Sequence, residues 1–148
     1  PTRRSSDLQV YTHSSIALGD QPTQFYSFNY RGFAVETTEK HRRRGVRCSR
    51  LYRLNVSDTV YERIEERIRF FLKNRENYRY TRLGVLCCVL RLPLYWKNHY
   101  FCSQFVAELL SESKALRLSR KPCFCLPNHF ICLLETQPCL AGMEQDII

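Results

Sequence analysis

The sequence lacks long hydrophobic runs, and it contains little glycine and proline. No window reaches the ~18 consecutive apolar residues that a transmembrane helix needs, because Arg91 and Pro93 interrupt the most apolar stretch, from Leu83 to Trp96. Five glycines and six prolines in 148 residues are too few for a collagen-like or linker-rich chain. Internal repeats and low-complexity segments are also absent. The sequence therefore predicts a folded globular domain without a membrane span.

The chain is long and apolar enough for one domain with a core of its own. Hydrophobic residues make up 44% of the sequence, and a fold of this length buries roughly two thirds of its surface. The net charge is +9, from 23 basic and 14 acidic residues, which favours anionic partners but says little about the fold. Arg42–Arg44, in the segment TTEKHRRRG, predict a solvated loop. Since no RNA- or DNA-binding motif accompanies them, nucleic acid is not an expected partner.

The first eight residues, PTRRSSDL, have the sequence that translation of a sequencing-adapter primer gives. We therefore expect residues 1–8 to be an assembly scar that contributes nothing to the fold. On this interpretation the natural domain spans residues 9–148 and lacks its true N-terminus. The absence of a signal peptide then does not argue against secretion.

Eight cysteines are many for a chain of this length, and the even number suggests a disulfide framework. However, Cys87 and Cys88 are adjacent in an apolar run, and several others stand where a small hydrophobic residue would serve. We therefore expect buried free thiols in a reducing compartment, with the cytoplasm favoured. The cysteines are Cys48, Cys87, Cys88, Cys102, Cys123, Cys125, Cys132 and Cys139.

The first third of the sequence predicts short strands. β-Branched and aromatic residues at 8–18 and 24–30 flank the turn signal GDQP at 19–22, and this pattern predicts a hairpin. Further extended segments are predicted at 33–36 and 46–56.

The rest of the sequence predicts helices. Residues 57–74 place their apolar side chains on one stripe, with Glu and Arg on the opposite face. The helix start is marked either by a capping box of Thr59 and Glu62 or by Ser57 as N-cap. Strands followed by helices predict an α+β domain. Shorter helices are predicted at 80–90, from residue 102 onwards, and from Pro127 through PNHFICLLE.

Cys102 is the main candidate for a reactive side chain. It stands at the predicted start of a helix, where free backbone N–H groups and the helix dipole favour a thiolate. A thiolate nucleophile requires a base, and a histidine oriented by a third polar group is the usual partner. His13 lies on the first predicted strand. Across the turn, Ser27 or Asn29 is placed to orient its ring.

Three segments, THSSIALGD, FYSFNYRGFAVE and YFCSQFVAELL, resemble the circularly permuted branch of the NlpC-type papain-like superfamily. This superfamily of cysteine peptidases and amidases includes the lecithin:retinol acyltransferase-like proteins, and the resemblance, over residues 9–140, is to uncharacterised bacterial members in particular. In that branch a strand histidine precedes a helix-starting cysteine. The resemblance implies a permuted papain-like fold, with a small antiparallel sheet packed against helices.

The same resemblance assigns roles to individual residues. It implies His13 as the base and Cys102 as the nucleophile of a cysteine hydrolase or acyltransferase. The second-strand position that carries His or Glu in better-known relatives falls on Ser27, whose neutral hydroxyl orients imidazole but does not stabilise imidazolium. We expect the backbone N–H of Cys102 to be the oxyanion donor and Gln104 to face away from the site.

A second group of soft ligands lies near the end of the chain, and its spacing argues against a metal site. C-x-C is not the C-x2-C spacing of zinc knuckles, and no distant pair completes a tetrahedron. We therefore expect no metal and no cofactor. His41 and His99 are both predicted to be exposed, with His99 placed to shape substrate entry. The group consists of Cys123, Cys125, His129, Cys132 and Cys139.

Three functional hypotheses follow. The first is a hydrolase or acyltransferase in which His13 deprotonates Cys102 and the thiolate attacks an amide or ester, with cell-wall peptides or lipids as the substrates that the resemblance implies. The second is a binding module on the same scaffold that has lost catalysis, with which Ser27 is consistent. The third is a basic domain that binds anions or nucleic acid. The sequence does not indicate the oligomeric state.

Overall fold

The computed structural model describes residues 10–148, so the expectation that residues 1–8 are a scar lies outside the described part. Residues 10–148 form six short strands and five α-helices, a mixture that confirms the α+β class. In chain order the elements are β1 (Phe25–Asn29), β2 (Gly32–Glu36), α1 (Thr38–Arg43), β3 (Arg50–Leu54), α2 (Asp58–Lys73), β4 (Arg79–Tyr80), α3 (Arg82–Val89), β5 (His99–Tyr100), α4 (Cys102–Glu112), α5 (His129–Glu135) and β6 (Leu140–Gln145).

The strands pair into three small sheets of two strands each. β1 and β2 form an antiparallel hairpin in which Ser27 pairs with Ala34 and Phe28 pairs with Phe33. β3 pairs with β6 in antiparallel orientation, whereas β4 and β5 are parallel. Because β5 ends just before α4 begins, the pairing of β4 with β5 helps to place the start of that helix.

The turn of the β1–β2 hairpin depends on Gly32. Its φ is +101°, a region that residues with a Cβ rarely adopt. A Cβ at this position would also lie 2.7 Å from the carbonyl oxygen of Tyr78. Glycine therefore lets the hairpin approach the segment that leads into β4.

The hairpin predicted across residues 19–22 is wrong in its first strand. Residues 10–18 form no regular strand and meet β1 through a single antiparallel bridge, between Ile16 and Tyr26. His13 therefore lies on an extended segment beside the sheet and not on one of its strands. The regular hairpin is the next one along the chain, between β1 and β2.

In residues 10–18, side chains from other parts of the chain form hydrogen bonds with backbone groups that a neighbouring strand would otherwise have bonded. The N–H of Tyr11 donates to Oδ1 of Asn128 at 2.7 Å. The carbonyl oxygen of Ser14 accepts a hydrogen bond from the hydroxyl of Ser27 at 2.5 Å. A buried backbone group needs a partner but not a strand partner, and this is why strand propensity did not decide the structure of this segment.

The segment TTEKHRRRG is not a loop, because residues 38–43 form helix α1. Thr37 caps the helix by accepting a hydrogen bond from the N–H of Lys40 at 3.2 Å. Glu39 pairs with Arg43 one turn later, and basic residues fill the last turn, where they favour the helix dipole. Arg42–Arg44 are exposed, as predicted.

The four predicted helices are present. α2 matches the helix predicted at 57–74, and Ser57 is its N-cap, with Oγ accepting from the N–H of Val60 at 3.3 Å. α3 and α5 fall within predicted segments, and α4 begins at Cys102, as predicted. None of the helices in residues 10–148 is long and apolar enough to cross a bilayer.

The hairpin, α2, α4 and the β4–β5 pair meet in a cluster of rings that we call the aromatic core. Phe28 is fully buried, and its ring centroid lies 5.9 Å from that of Phe71 and 5.3 Å from that of Phe105. Tilted and edge-to-face ring pairs add to the free energy gained from burial. This packing fixes the hairpin against the helix that carries Cys102. The aromatic core consists of Phe28, Phe33, Phe71, Tyr78, Tyr100 and Phe105.

Candidate active site

Cys102 is the first residue of α4, and its surroundings stabilise a thiolate. The N-cap residue is Phe101, which has no side-chain oxygen to occupy the free N–H groups of the first turn. The backbone N–H groups of Ser14 and Ser103 both donate to the Cys102 sulfur. Cys102 is 6% exposed, and Gln104 is also buried. The helix start therefore presents donors to a sulfur that is largely removed from water.

His13 reaches Cys102 from the extended segment beside the hairpin. Its ring is hydrogen-bonded to the sulfur, and its Nε2 donates to Oε2 of Glu36 at 2.7 Å. The backbone bridge between Ile16 and Tyr26 holds the segment in place. The His13 side chain is 34% exposed, so the site is open to solvent on the histidine side. The structure thus brings together a histidine and a cysteine that are far apart in sequence.

Glu36, the last residue of β2, is the carboxylate behind His13. It is 2% exposed, and a carboxylate so far from water needs cationic or hydrogen-bonding partners. Nε2 of His41 lies 3.3 Å from the same Oε2 that contacts His13. Nδ2 of Asn29 lies 3.5 Å from the other carboxylate oxygen. Both oxygens are therefore contacted by side chains.

These contacts shift the pKa values of the three groups. Burial alone would lower the pKa of His13, but hydrogen bonds to Cys102 and Glu36 outweigh it and raise the pKa to about 10. Burial alone would raise the pKa of Glu36, but hydrogen bonds from His13 and His41 lower it to about 2. Burial also opposes ionisation of Cys102, yet the hydrogen bond from His13 lowers the pKa of the thiol. The site favours a thiolate beside an imidazolium, with a carboxylate behind it.

Ser27 does not orient His13, and this corrects the sequence-based prediction. Its side chain is fully buried and donates to the carbonyl oxygen of Ser14 at 2.5 Å. Glu36 occupies the place beside the imidazole that Ser27 was predicted to take, and Asn29 contacts Glu36 and not the histidine. The third group is thus a carboxylate, which stabilises imidazolium as a hydroxyl does not.

His41 is largely buried, whereas the sequence predicted it to be exposed. Its side chain is 14% exposed, and its ring centroid lies 5.7 Å from that of His13. Helix α1 turns this residue back towards Glu36 at the end of β2. His99 is partly buried, and it stacks on Trp96 with 3.8 Å between the ring centroids.

The sequence reasoning missed Glu36 and His41, although both carry a signal. Glu36 ends the apolar segment GFAVE, and an acidic residue on a buried strand requires a partner of opposite charge or several donors. For His41, the pattern is Thr37 as N-cap, acidic then basic residues, and Gly45 beyond the end, which together indicate a short helix. A helix over 38–43 brings residue 41 back towards the strand that precedes it.

The same cluster offers ligand atoms to a cation. One atom each from His13, Glu36 and His41 lie within 4.8 Å of one another, and residues 10–148 contain no other such group of three. Two ligands of a tetrahedral zinc ion lie ~3.4 Å apart, whereas His13 and Glu36 are 2.7 Å apart, as in a charge-assisted hydrogen bond. The spacing of these side chains therefore matches hydrogen bonding among His13, Glu36 and His41 and not coordination of zinc. The soft ligands at 123–139 form no group of this kind.

Comparison of the chain with protein-family models, curated protein sequences and solved structures gave no significant match. The resemblance to the NlpC-type superfamily stays a prediction. The geometry by itself provides the groups that nucleophilic chemistry through a cysteine sulfur uses. It supplies a thiolate at a helix start, an imidazolium able to give up a proton, and a carboxylate that holds the imidazolium in place.

Proposed function

We propose that this protein is a cysteine hydrolase or acyltransferase with a permuted papain-like fold. The observation that carries the proposal is the position of His13, which contacts Cys102 on one side and Glu36 on the other. A nucleophile, a base and a group that orients the base, each in contact with the next, are what acyl transfer through a thiolate requires. The order of histidine before cysteine along the chain supports the permuted form of the fold.

The reaction begins when the Cys102 sulfur attacks the carbonyl carbon of an amide or ester. A carbon–sulfur bond forms, and the carbonyl electron pair moves to the oxygen. When this intermediate collapses, the bond to the leaving amine or alcohol breaks, and the imidazolium of His13 gives that group a proton. The acyl group is then held on Cys102 as a thioester. Water or an amine next attacks the thioester while His13 takes its proton, which releases the product and restores the thiolate.

The start of α4 supplies the stabilisation that the intermediate needs. N–H groups of the first turn have no partner within the helix, and the helix dipole favours negative charge at this end. The backbone N–H of Cys102 is the oxyanion donor in this mechanism. The N–H groups of Ser14 and Ser103 have a different role, because they already donate to the sulfur and stabilise the thiolate before attack.

The other two hypotheses have less support. A binding module that has lost catalysis was consistent with Ser27 as the third residue, but Glu36 takes that place. A nucleic-acid-binding domain rests on net charge and on Arg42–Arg44, and Arg43 is already paired with Glu39. The substrate of the proposed enzyme is an amide or ester, and the basic charge of the chain favours an acidic one.

Trapping of the acyl-enzyme tests the proposal. p-Nitrophenyl acetate should transfer its acetyl group to the Cys102 sulfur and release p-nitrophenolate in a burst, and peptide mass mapping should locate the acetyl group. Cys102→Ala should abolish both the burst and the modification. Cys132→Ser is the matched control, because Cys132 is an exposed free thiol on α5, and this variant should keep the full burst.

Two results would count against the proposal. The nucleophile would be wrong if the acetyl group appeared on Cys132 while Cys102 stayed unmodified in the folded protein. The binding-module hypothesis would replace the enzyme if iodoacetamide alkylated Cys102 readily but neither p-nitrophenyl acetate nor a panel of amides and esters acylated it.

A further inference from the structure

Helix α3 has apolar side chains on both faces, and only one face is covered. Gly84 and Cys88 are buried against the rest of the molecule, whereas Leu83, Leu86 and Leu90, at positions i, i+3 and i+7, are each more than half exposed. A helix that is apolar all round is normally buried. Within residues 10–148, nothing covers the outer face of α3.

The exposed apolar face continues into the segment after the helix. The N–H of Leu92 donates to the carbonyl oxygen of Cys87 at 2.8 Å, so the chain turns back at the helix end. Tyr95 and Trp96 follow, and both are more than half exposed. Residues 83–96 contain seven of the thirteen exposed large hydrophobic side chains in the described part of the chain. Such a concentration marks an interaction surface, which we call the α3 surface.

The charged residues of the chain segment that carries the α3 surface all have one sign. No Asp or Glu occurs between Asn77 and Ala107. Four basic residues stand in the same interval, and all four are exposed. An apolar surface with cationic side chains at its edge is complementary to a layer that is apolar inside and anionic at its surface. The basic residues are Arg79, Arg82, Arg91 and Lys97.

We propose that the α3 surface binds the surface of an anionic lipid bilayer. Leucine side chains would enter the boundary of the acyl region, and the basic side chains would contact lipid phosphates. Tyr95 and Trp96 are residue types that favour the level of the headgroups. The helix would lie on the bilayer and not cross it, which agrees with its length of 8 residues.

A second copy of the chain fits this surface less well. A symmetric dimer places the same patch on both sides of the interface, so the basic residues of one copy would face those of the other. Binding to a bilayer does not depend on the chemistry of Cys102. The test below can therefore fail or succeed independently of the proposed enzymatic function.

Trp96 makes the test direct, because it is the single tryptophan of the sequence. The full chain is mixed with vesicles of phosphatidylcholine alone or of phosphatidylcholine with phosphatidylglycerol. On the mixed vesicles we expect Trp96 emission to shift to shorter wavelength and the protein to sediment with the lipid. Binding should be at least about tenfold tighter than on phosphatidylcholine alone, and it should weaken with added salt.

Leu86→Asp is the informative variant, and Phe70→Asp is its matched control. Phe70 is also an exposed apolar residue on a helix, but it lies on α2, outside the α3 surface. Leu86→Asp should weaken binding to the mixed vesicles about tenfold or more, whereas Phe70→Asp should bind as the wild type does. Circular dichroism and alkylation of Cys102 check that both variants are folded.

The proposal is overturned if the wild type does not bind the mixed vesicles, if both lipid compositions bind equally, or if Leu86→Asp binds as tightly as the wild type. Light scattering tests the alternative that a second copy of the chain binds the α3 surface. A wild-type dimer that Leu86→Asp converts to a monomer, without vesicle binding, would assign the α3 surface to a second copy of the chain.

Discussion

The aromatic core and the Cys102 site use the same hairpin but are held together by different interactions. Phe28 and Phe33 point from β1 and β2 into packed rings, whereas Glu36, at the end of β2, makes hydrogen bonds to two histidines. Burial of apolar area involves no titrating group, so it depends little on pH. Contacts between titrating groups depend on pH. Changes to the core should therefore alter stability, and changes to the site should alter reactivity.

The largest loss of stability is expected from Phe28→Ala. It removes a fully buried ring that contacts the other members of the aromatic core, and such truncations cost about 3–5 kcal/mol of unfolding free energy. Denaturant unfolding followed by circular dichroism measures the loss. Phe70→Ala, on the exposed side of α2, should cost about 0.5 kcal/mol or less. Equal losses in the two variants would contradict the position of the core.

Gly32→Ala is expected to cause the next largest loss of stability, because Gly32 lets the hairpin lie close to Tyr78 of the aromatic core. Its positive φ and the carbonyl oxygen of Tyr78 at 2.7 Å from a Cβ both oppose the substitution, and backbone strain of this kind costs about 1–3 kcal/mol. The matched control is Gly19→Ala, where φ is +82° but nothing lies within 4 Å of a Cβ. If Gly19→Ala loses less stability than Gly32→Ala, the difference measures the effect of the close approach to Tyr78. Equal losses of stability would show that this approach has no effect.

Glu36→Gln should change reactivity more than stability. Without the carboxylate, the pKa of His13 falls because imidazolium loses its anionic partner, and the pKa of Cys102 rises because the neighbouring positive charge is populated less. The rate of iodoacetamide alkylation of Cys102, measured against pH, should move to higher pH by about one unit or more, so that alkylation on the acid side slows about tenfold. The exposed Glu39→Gln serves as the control, with an unchanged profile. An unchanged profile for Glu36→Gln would show that Glu36 does not influence the reactivity of Cys102.

The smallest change in stability is expected from Ser103→Ala. Most substitutions destabilise a protein, whereas we expect this one to be neutral or stabilising. Oγ of Ser103 is buried and has no hydrogen-bond partner among residues 10–148, so its removal should leave stability unchanged or raise it by about 1 kcal/mol. Ser113→Ala is the control, because its buried hydroxyl donates to the carbonyl oxygen of Leu110 at 3.2 Å, and its loss should cost about 1 kcal/mol. A clear destabilisation by Ser103→Ala in thermal unfolding would indicate a partner for Oγ.

Local patterns were sufficient for several elements. The apolar stripe and Ser57 predicted α2, and the same reasoning placed the start of α4 at Cys102. Helix signals of this kind act over a few residues, so they can be read without knowing the fold. The same signals are present around α1, where Thr37 caps the helix, although the run of arginines favoured the prediction of a loop.

Long-range pairing was not open to the same reasoning. The choice between Ser27 and Glu36 as the partner of His13 depends on how residues 10–18 lie against the hairpin, and side chains such as Asn128 influence that placement. β-Propensity indicates which residues suit a strand but not which strand they join. The first predicted strand was wrong for this reason, and with it the orienting role of Ser27.

The sequence by itself determined the class of the domain, its longer helices, and the identity of Cys102 and His13 as candidates for chemistry. Those features depend on residue type, periodicity and helix ends, which are local. Only the tertiary structure decided that a buried Glu36 stands behind His13, that His41 joins it, and that the outer face of α3 stays exposed. Hydrogen bonds and burial join residues that are distant in sequence, and the packing of the whole chain determines which of them meet.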